Sequence, residues 1–302
     1  MGERKIARQG WCDWLRCLAC VCVVILHATG GLIASGDVAS KDWLALTALS
    51  ALTRWAVPAF VMLSGAFLLD PDHDLPHDKW WGRVKKMALL TVIVAVFFAL
   101  WDARRAHLGV EWLLEALIRL VKGEFHYHLW FLPMLLGLYL ITPLLRAMVR
   151  GAGRRQLWYA VGLWAVFAIC LPFLYRFLPL DVGLPWLERF ELYGVFGYTG
   201  YYLLGYLLKT CEIRRGASVA LWLAGLCGLV LTFRSTVIFS QGQGVLDARF
   251  LSYFSPFVAL TAAAVFLFAR RLGGGNHPIW ARLSKLTLWV YLLHPLVLDA
   301  IL

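Results

Sequence analysis

The chain has 302 residues, 61% of them hydrophobic and 16% charged, with 15 tryptophans and a mean hydropathy of +0.70. A soluble globular domain is closer to half apolar and a quarter charged, so composition excludes an ordinary water-soluble enzyme or binding module. The formal charge of +11 does not point to nucleic acid, because no basic, aromatic-laced soluble domain carries it.

Nine apolar segments follow one another: roughly 14–34, 50–69, 87–103, 129–148, 157–178, 192–210, 218–236, 250–270 and 285–302. They approach the ~17–25 residues needed to cross a bilayer core. Only helices satisfy every backbone group inside such runs. The expected fold is therefore an all-α polytopic membrane protein, a bundle of about nine transmembrane helices. No low-complexity tract or long linker divides the chain, and residues 1–302 are expected to form a single integral membrane domain. With the N-terminus placed in the cytoplasm, the leader and the connections at 70–86, 146–156, 209–217 and 270–285 hold 18 of the 29 lysines and arginines. The opposite side holds nine. This asymmetry predicts a cytoplasmic N-terminus, with the basic side facing anionic lipid or an anionic cytosolic ligand.

The first segment, "WCDWLRCLACVCVVILHATGG" (11–31), follows a basic leader and has the outline of a signal peptide. Arg16 and His27 interrupt it and many spans follow, so a retained helix is expected. Arg16 and His27 are 11 positions apart, within ~20° on a helical wheel and about 16 Å apart along the axis. Asp13 lies one turn nearer the cytoplasm, where it can pair with Arg16. Ionisable residues inside a membrane are costly and mark a functional site by default; the alternative is a polar contact between helices. The seven cysteines read as packing residues. Cys17 and Cys20 form a C-x-x-C, but no second pair completes a zinc site, and no metal is expected.

Further along, Arg54 stands near the outer start of the second segment. The stretch "DPDHDLPHD" (70–78) mixes carboxylates and imidazoles without diagnostic ligand spacing and reads as a hydrated loop. "KWWGRVKK" (79–86) extends that cytoplasmic loop and offers Arg83, Lys85 and Lys86, with Lys79, to an anionic donor; ordinary positive-inside charge explains them equally well. "EWLLEALIRLVKGEF" (111–125) has helical amphipathic spacing and reads as a surface helix on the outer side. His126, His128 and Trp130 sit where the fourth segment enters from outside, with His126 read as a surface residue. Trp130 suits either a sugar face or the interfacial belt. Tyr291 and His294 lie inside the last segment. "GGGN" (273–276) lacks a strand–helix context and is a turn.

Several of these stretches share a pattern. Arg16 and His27 have ten residues between them, "RWAVPAFVMLSGAFLL" (54–69) combines Arg, Pro and Ser-Gly, and "YHLWFLPMLLGLYLITPLLR" (127–146) opens on His-x-Trp-Phe. With "GYTGYYLLGYLL" (197–208) and "LSKLTLWVYLLHPLVLD" (283–299), they resemble, in order, the acyltransferase 3 family of integral membrane O-acyltransferases. The His-x-Trp-Phe helix is similar to that of its surface-polysaccharide O-acetyltransferase branch. The resemblance implies transfer of an acyl group, usually acetyl, from cytosolic acyl-CoA to a carbohydrate hydroxyl at or beyond the outer leaflet of a bacterial inner membrane. Acetyl-CoA would be a co-substrate, with no permanently bound cofactor and no nucleic-acid partner.

His27 then matches the family's histidine, as general base or as an acyl-histidine nucleophile. Arg16 matches its arginine, with Asp13, Arg16, Arg83, Lys85 and Lys86 on the donor side. Arg54, His128, Trp130, Tyr291 and His294 are expected on the acceptor side. Family members usually have ten helices; nine here would leave the C-terminus outside, in a naturally short relative or a trimmed chain. The alternative class is a transporter of a polysaccharide or lipid-linked sugar, but no pair of Gly/Pro-broken helices repeats between the two halves.

Overall fold

The structure, a computed structural model, describes residues 9–72, 75–105, 114, 118, 122, 126–177, 197–275 and 277–301. Among these residues every regular element is helical. In chain order they are α1 (Gly10–Ser35), α2 (Lys41–Thr53), α3 (Ala56–Leu68), α4 (His77–Arg105), α5 (Phe131–Gly151), α6 (Arg154–Trp164), a π-turn (Ala165–Cys170), α7 (Leu171–Tyr175), α8 (Thr199–Thr210), α9 (Arg215–Gln243), a 3-10 turn (Ala248–Leu251), α10 (Pro256–Leu272) and α11 (Pro278–Ile301). Eight helical stretches are long and apolar enough to cross a membrane, and each coincides with one of the nine expected segments. The remaining segment, 192–210, contains α8, 12 residues long; 192–196 lie outside the described residues. The protein is an all-α, multi-pass membrane protein. The amphipathic helix expected over 111–125 falls mostly outside the described residues.

The second and third segments begin well before the hydropathy pattern predicts. The second segment starts at Lys41, not near residue 50. Ser40 Oγ caps it by accepting from the Trp43 N–H, and Trp43, 1% exposed, donates its indole N–H to Ile33 O at 3.0 Å. Lys41 and Asp42 dilute the hydropathy there, so composition alone conceals this turn. Arg54 accordingly lies at the junction of α2 and α3, in the middle of a run from Lys41 to Leu68, and not near its outer start. Pro58 explains the junction: it has no N–H for the Arg54 carbonyl, and the helix is interrupted at 54–55. The stretch 79–86 is likewise no loop, because α4 begins at His77, directly after Pro76.

The chain divides into two compact units, Met1–Asp70 with Val149–Leu302, and Pro71–Met148. In the first unit the helices thread up and down. At one end Trp14 Nε1 donates to Gly273 O at 3.0 Å, and Lys209 Nζ donates to Ala66 O at 3.0 Å and pairs with Asp70 at 2.8 Å. Arg270 donates to Leu208 O and Cys211 O, capping carbonyls at the end of α8. At the other end Gln241 Nε2 donates to Val38 O at 3.1 Å, and Arg249 donates to Arg176 O at 2.9 Å. Arg249 also chelates Asp247 and lies over the rings of Phe177 and Phe239. Hydrogen bonds from Arg249 hold the Asp247 carboxyl below the usual carboxylate range despite its burial.

Lipid offers little hydrophobic drive to bring helices together, so close contact depends on small residues. α3 crosses α8 at Gly65 and Gly205: a Cβ on Gly65 would run into Tyr202 O, and one on Gly205 into Met62 O. α9 meets α10 at Gly225 and Gly228, where Thr261 Oγ1 donates to Gly225 O at 3.0 Å. Gly65→Ala is therefore expected to destabilise the protein by about 1–3 kcal/mol, the usual cost of overpacking. Gly82→Ala, inside α4 where a Cβ meets nothing within 4 Å, should not destabilise it, because alanine is the better helix former. Thermal unfolding of the two detergent-purified variants checks this; an unchanged midpoint for Gly65→Ala would contradict the crossing.

Candidate active site

Up-and-down threading makes α1 and α11 run in the same direction, and they face each other along a seam of polar rungs. Asp13, Cys20 and Cys17 occupy its first turns. Ser284 Oγ donates to Asp13 Oδ1 at 2.7 Å, Cys20 Sγ reaches Thr287 O at 3.6 Å, and Cys17 Sγ reaches Trp280 O at 4.0 Å. Asp13, Cys20 and His27 are spaced by sevens, which returns a side chain to nearly the same face. The last rung is a pair of imidazoles. His27 Nδ1 lies 2.6 Å from His294 Nε2, and the two rings lie nearly parallel, edge to edge, with centroids 4.7 Å apart and planes 11° apart. His294 is buried while His27 is half-exposed. On its far side, His294 Nδ1 lies 2.7 Å from Tyr291 O and 3.2 Å from Val290 O.

Asp13 does not pair with Arg16. Its buried carboxylate accepts from the Ser284 hydroxyl one helix away, and among the described residues no ion pair joins it to Arg16. Arg16 remains half-exposed on α1.

Arg54 packs on the other flank of the same unit. Its guanidinium lies 5.6 Å from the Tyr253 ring centroid. Its Nε is buried and meets no acceptor among the described residues. Tyr201 OH donates to Tyr253 O at 2.5 Å, fixing that backbone. Nearer the imidazole pair, the Tyr291 ring lies 6.2 Å from that of His294. His27, His294 and Tyr291 thus form one linked series, and Arg54 with Tyr253 forms a second contact in the same unit.

The second unit holds the remaining expected site residues. Arg83, Lys85 and Lys86 lie on the first turns of α4, Arg83 and Lys85 and Lys86 all outside the buried core, with Lys85 over the Trp81 ring at 5.7 Å. Trp80 Nε1 donates to Tyr139 O at 2.8 Å, tying α4 to α5. His128, 1% exposed, sits edge-on to Phe98. His126 is no surface residue: its side chain is 8% exposed, its Nδ1 is 2.9 Å from His128 Nδ1, and its Nε2 is 3.6 Å from Asp102 Oδ1. Trp130 is half-exposed beside Phe131.

Comparison with known proteins assigns this framework. The acyltransferase domain of the acyltransferase 3 family matches residues 9–301. The chain belongs to the acyltransferase 3 family. The model that matches is that of an acyltransferase domain, and it covers nearly the whole chain. A serine/alanine racemase of Enterococcus gallinarum is 25% identical over 299 residues, covering 94% of this chain and 40% of that protein. The chain thus spans well under half the length of that relative. No solved structure matches.

In this chain the pattern of residues anticipated Arg16 and His27 on one helix but not the contact of His27 with His294. Only folding brings positions 267 residues apart together. Tyr253 was missed because a tyrosine beside an apolar run gives no signal of its own. His126 did carry one, the His-x-His spacing at a helix entrance, which places two imidazoles within reach of each other.

Proposed function

We propose that this acyltransferase moves an acyl group, acetyl in the simplest case, from acyl-CoA to a hydroxyl of a cell-surface or lipid-linked carbohydrate, with His27 as general base. The observation that carries this is the half-exposed His27 imidazole, held by His294 inside an apolar bundle that belongs to an acyltransferase family. A sugar hydroxyl is a poor nucleophile until its proton is removed, and a neutral imidazole suits that task near neutral pH. In the reaction the hydroxyl proton passes to His27 as the oxygen bonds the acyl carbon. The thioester C–S bond then breaks, and the CoA thiolate takes the proton from His27.

Arg16 lies on the same helix about 16 Å from His27 along the axis, a separation suited to an elongated donor whose polar part meets the guanidinium while its thioester meets the imidazole. Asp13 supports that end through Ser284. In the second unit, the basic first turns of α4 offer Arg83, Lys85 and Lys86 as separate candidate contacts for an anionic donor. Arg54, with a buried Nε donor and no acceptor for it among the described residues, suits the oxyanion that develops at the acyl carbon or an acceptor phosphate. Tyr291 in the first unit, and Trp130 and His128 in the second, are carried as acceptor-side candidates by the resemblance to the family. Purified protein in lipid nanodiscs, given radiolabelled acetyl-CoA and lipid-linked oligosaccharide, should yield an alkali-labile glycan ester; donor hydrolysis with no ester on any glycan would rule out the acceptor class.

His27→Ala or His27→Gln should abolish transfer while the protein still inserts and accumulates, measured as ester formation per mole of folded protein; normal turnover removes His27 from the chemistry. Arg16→Ala should weaken use of acetyl-CoA by roughly tenfold to a hundredfold, the worth of a hydrogen bond to a charged group. Arg16→Lys should recover only part of that, because a point charge does not reproduce the planar fork; an effect confined to acceptor KM would move Arg16 to the other substrate. In a bacterial inner membrane with the N-terminus cytoplasmic, alkaline phosphatase fused after Asp37 should be active and after Gly274 inactive. The opposite pattern reverses the orientation.

A further inference from the structure

A proline inside a helix removes the hydrogen-bond donor of the carbonyl four residues earlier, and in an apolar bundle that carbonyl must find another donor. Pro143 lies within α5 and Pro295 within α11. At Pro143 the carbonyl concerned is Tyr139 O, which accepts from Trp80 Nε1 at 2.8 Å. At Pro295 it is Tyr291 O, and the group 2.7 Å from it is His294 Nδ1.

The same contacts fix where the hydrogens of the imidazole pair reside. The oxygens of Tyr291 and Val290 near His294 Nδ1 are carbonyls that only accept, so His294 Nδ1 carries the hydrogen. A neutral imidazole has one N–H and one lone pair; His294 Nε2 therefore carries the lone pair. That lone pair faces His27 Nδ1 at 2.6 Å, so His27 Nδ1 donates and the basic lone pair of His27 resides on Nε2. We propose that His294 and Pro295 are positioning residues: Pro295 leaves the Tyr291 carbonyl for His294, and His294 thereby fixes the tautomer of His27 with Nε2 as its proton-accepting nitrogen. The proposal rests on the role given to His27 above and names the atom that plays it. When His27 Nε2 takes the hydroxyl proton, the imidazolium keeps its Nδ1–H bond to His294 Nε2, and the hydrogen on His294 Nδ1 stays on the Tyr291 carbonyl. No proton needs to move along the pair. An uncharged histidine here orients its neighbour as a carboxylate does beside the histidine of a serine hydrolase.

Nitrogen-15 NMR of histidine-labelled protein in nanodiscs, without substrate, tests this directly. His27→Gln and His294→Gln spectra assign the two signals, and the ring correlations distinguish Nδ1–H from Nε2–H. Both rings are expected as Nδ1–H. In Pro295→Ala the backbone N–H restored at position 295 competes for Tyr291 O, so the His27 signal should shift toward a mixture of tautomers. kcat for transfer from acetyl-CoA should fall about tenfold, the scale of one hydrogen bond, with KM unchanged. Alanine favours the helix, so this variant should fold. His294→Gln, whose amide oxygen can still accept from His27 Nδ1, should keep more activity than His294→Ala. A wild-type His27 in the Nε2–H form overturns the proposal, as does a Pro295→Ala protein with unchanged tautomers and rate. The expected spectra in a protein that transfers no acyl group would support the tautomer assignment and overturn the functional role of His27.

Discussion

Every backbone N–H and C=O in a lipid-embedded helix has to be satisfied without water, and this structure shows what happens where the chain cannot comply. Pro58, Pro143 and Pro295 each deprive a carbonyl of its helical donor. Around Pro58 the helix is interrupted at Arg54–Trp55. At Pro143 a tryptophan from α4 reaches across to close the gap, and at Pro295 a histidine of the same turn does so. Two of these three places coincide with candidate site residues, Arg54 and His294. The prolines that disturb the helices are thus the features that locate polar chemistry inside an otherwise apolar unit.

The second constraint is close packing without hydrophobic drive. Gly65 with Gly205, and Gly225 with Gly228, let α3 approach α8 and α9 approach α10 until backbones touch. α1 and α11 solve the same problem with polar rungs, from Asp13 and Ser284 to His27 and His294. The seam grows from a carboxylate–hydroxyl bond at one end to an imidazole pair well inside the bundle. One helix pair therefore carries both a structural contact and the imidazole proposed as general base.

Charge is partitioned in a similar way. Lys209, Arg270 and Arg271 are engaged by carbonyls and by Asp70 at one end of the first unit, and Arg249 by Asp247 and two phenylalanine rings at the other. Arg16 and Arg54 are different: both lie within the helical runs, and neither is committed to a carboxylate among the described residues. Cations of that kind are costly to keep in a membrane, and an ionisable residue there marks a candidate functional site.

How much of this was legible beforehand follows from the range of each interaction. Long apolar runs determined the helical, membrane-spanning class, because backbone satisfaction in lipid depends on composition alone. Helical spacing determined that Arg16 and His27 share a face, and the order of short motifs determined the family. Helix starts at Lys41 and His77 were obscured, since charged first turns dilute hydropathy while capping groups and neighbours such as Ile33 still hold them. Asp13 was drawn to Ser284 in place of Arg16, and His126 to His128 and Asp102 in place of solvent. The partner of His27 could be decided only by the tertiary structure, because α1 and α11 meet through the threading of every helix between them, and no local pattern encodes a contact between positions 27 and 294.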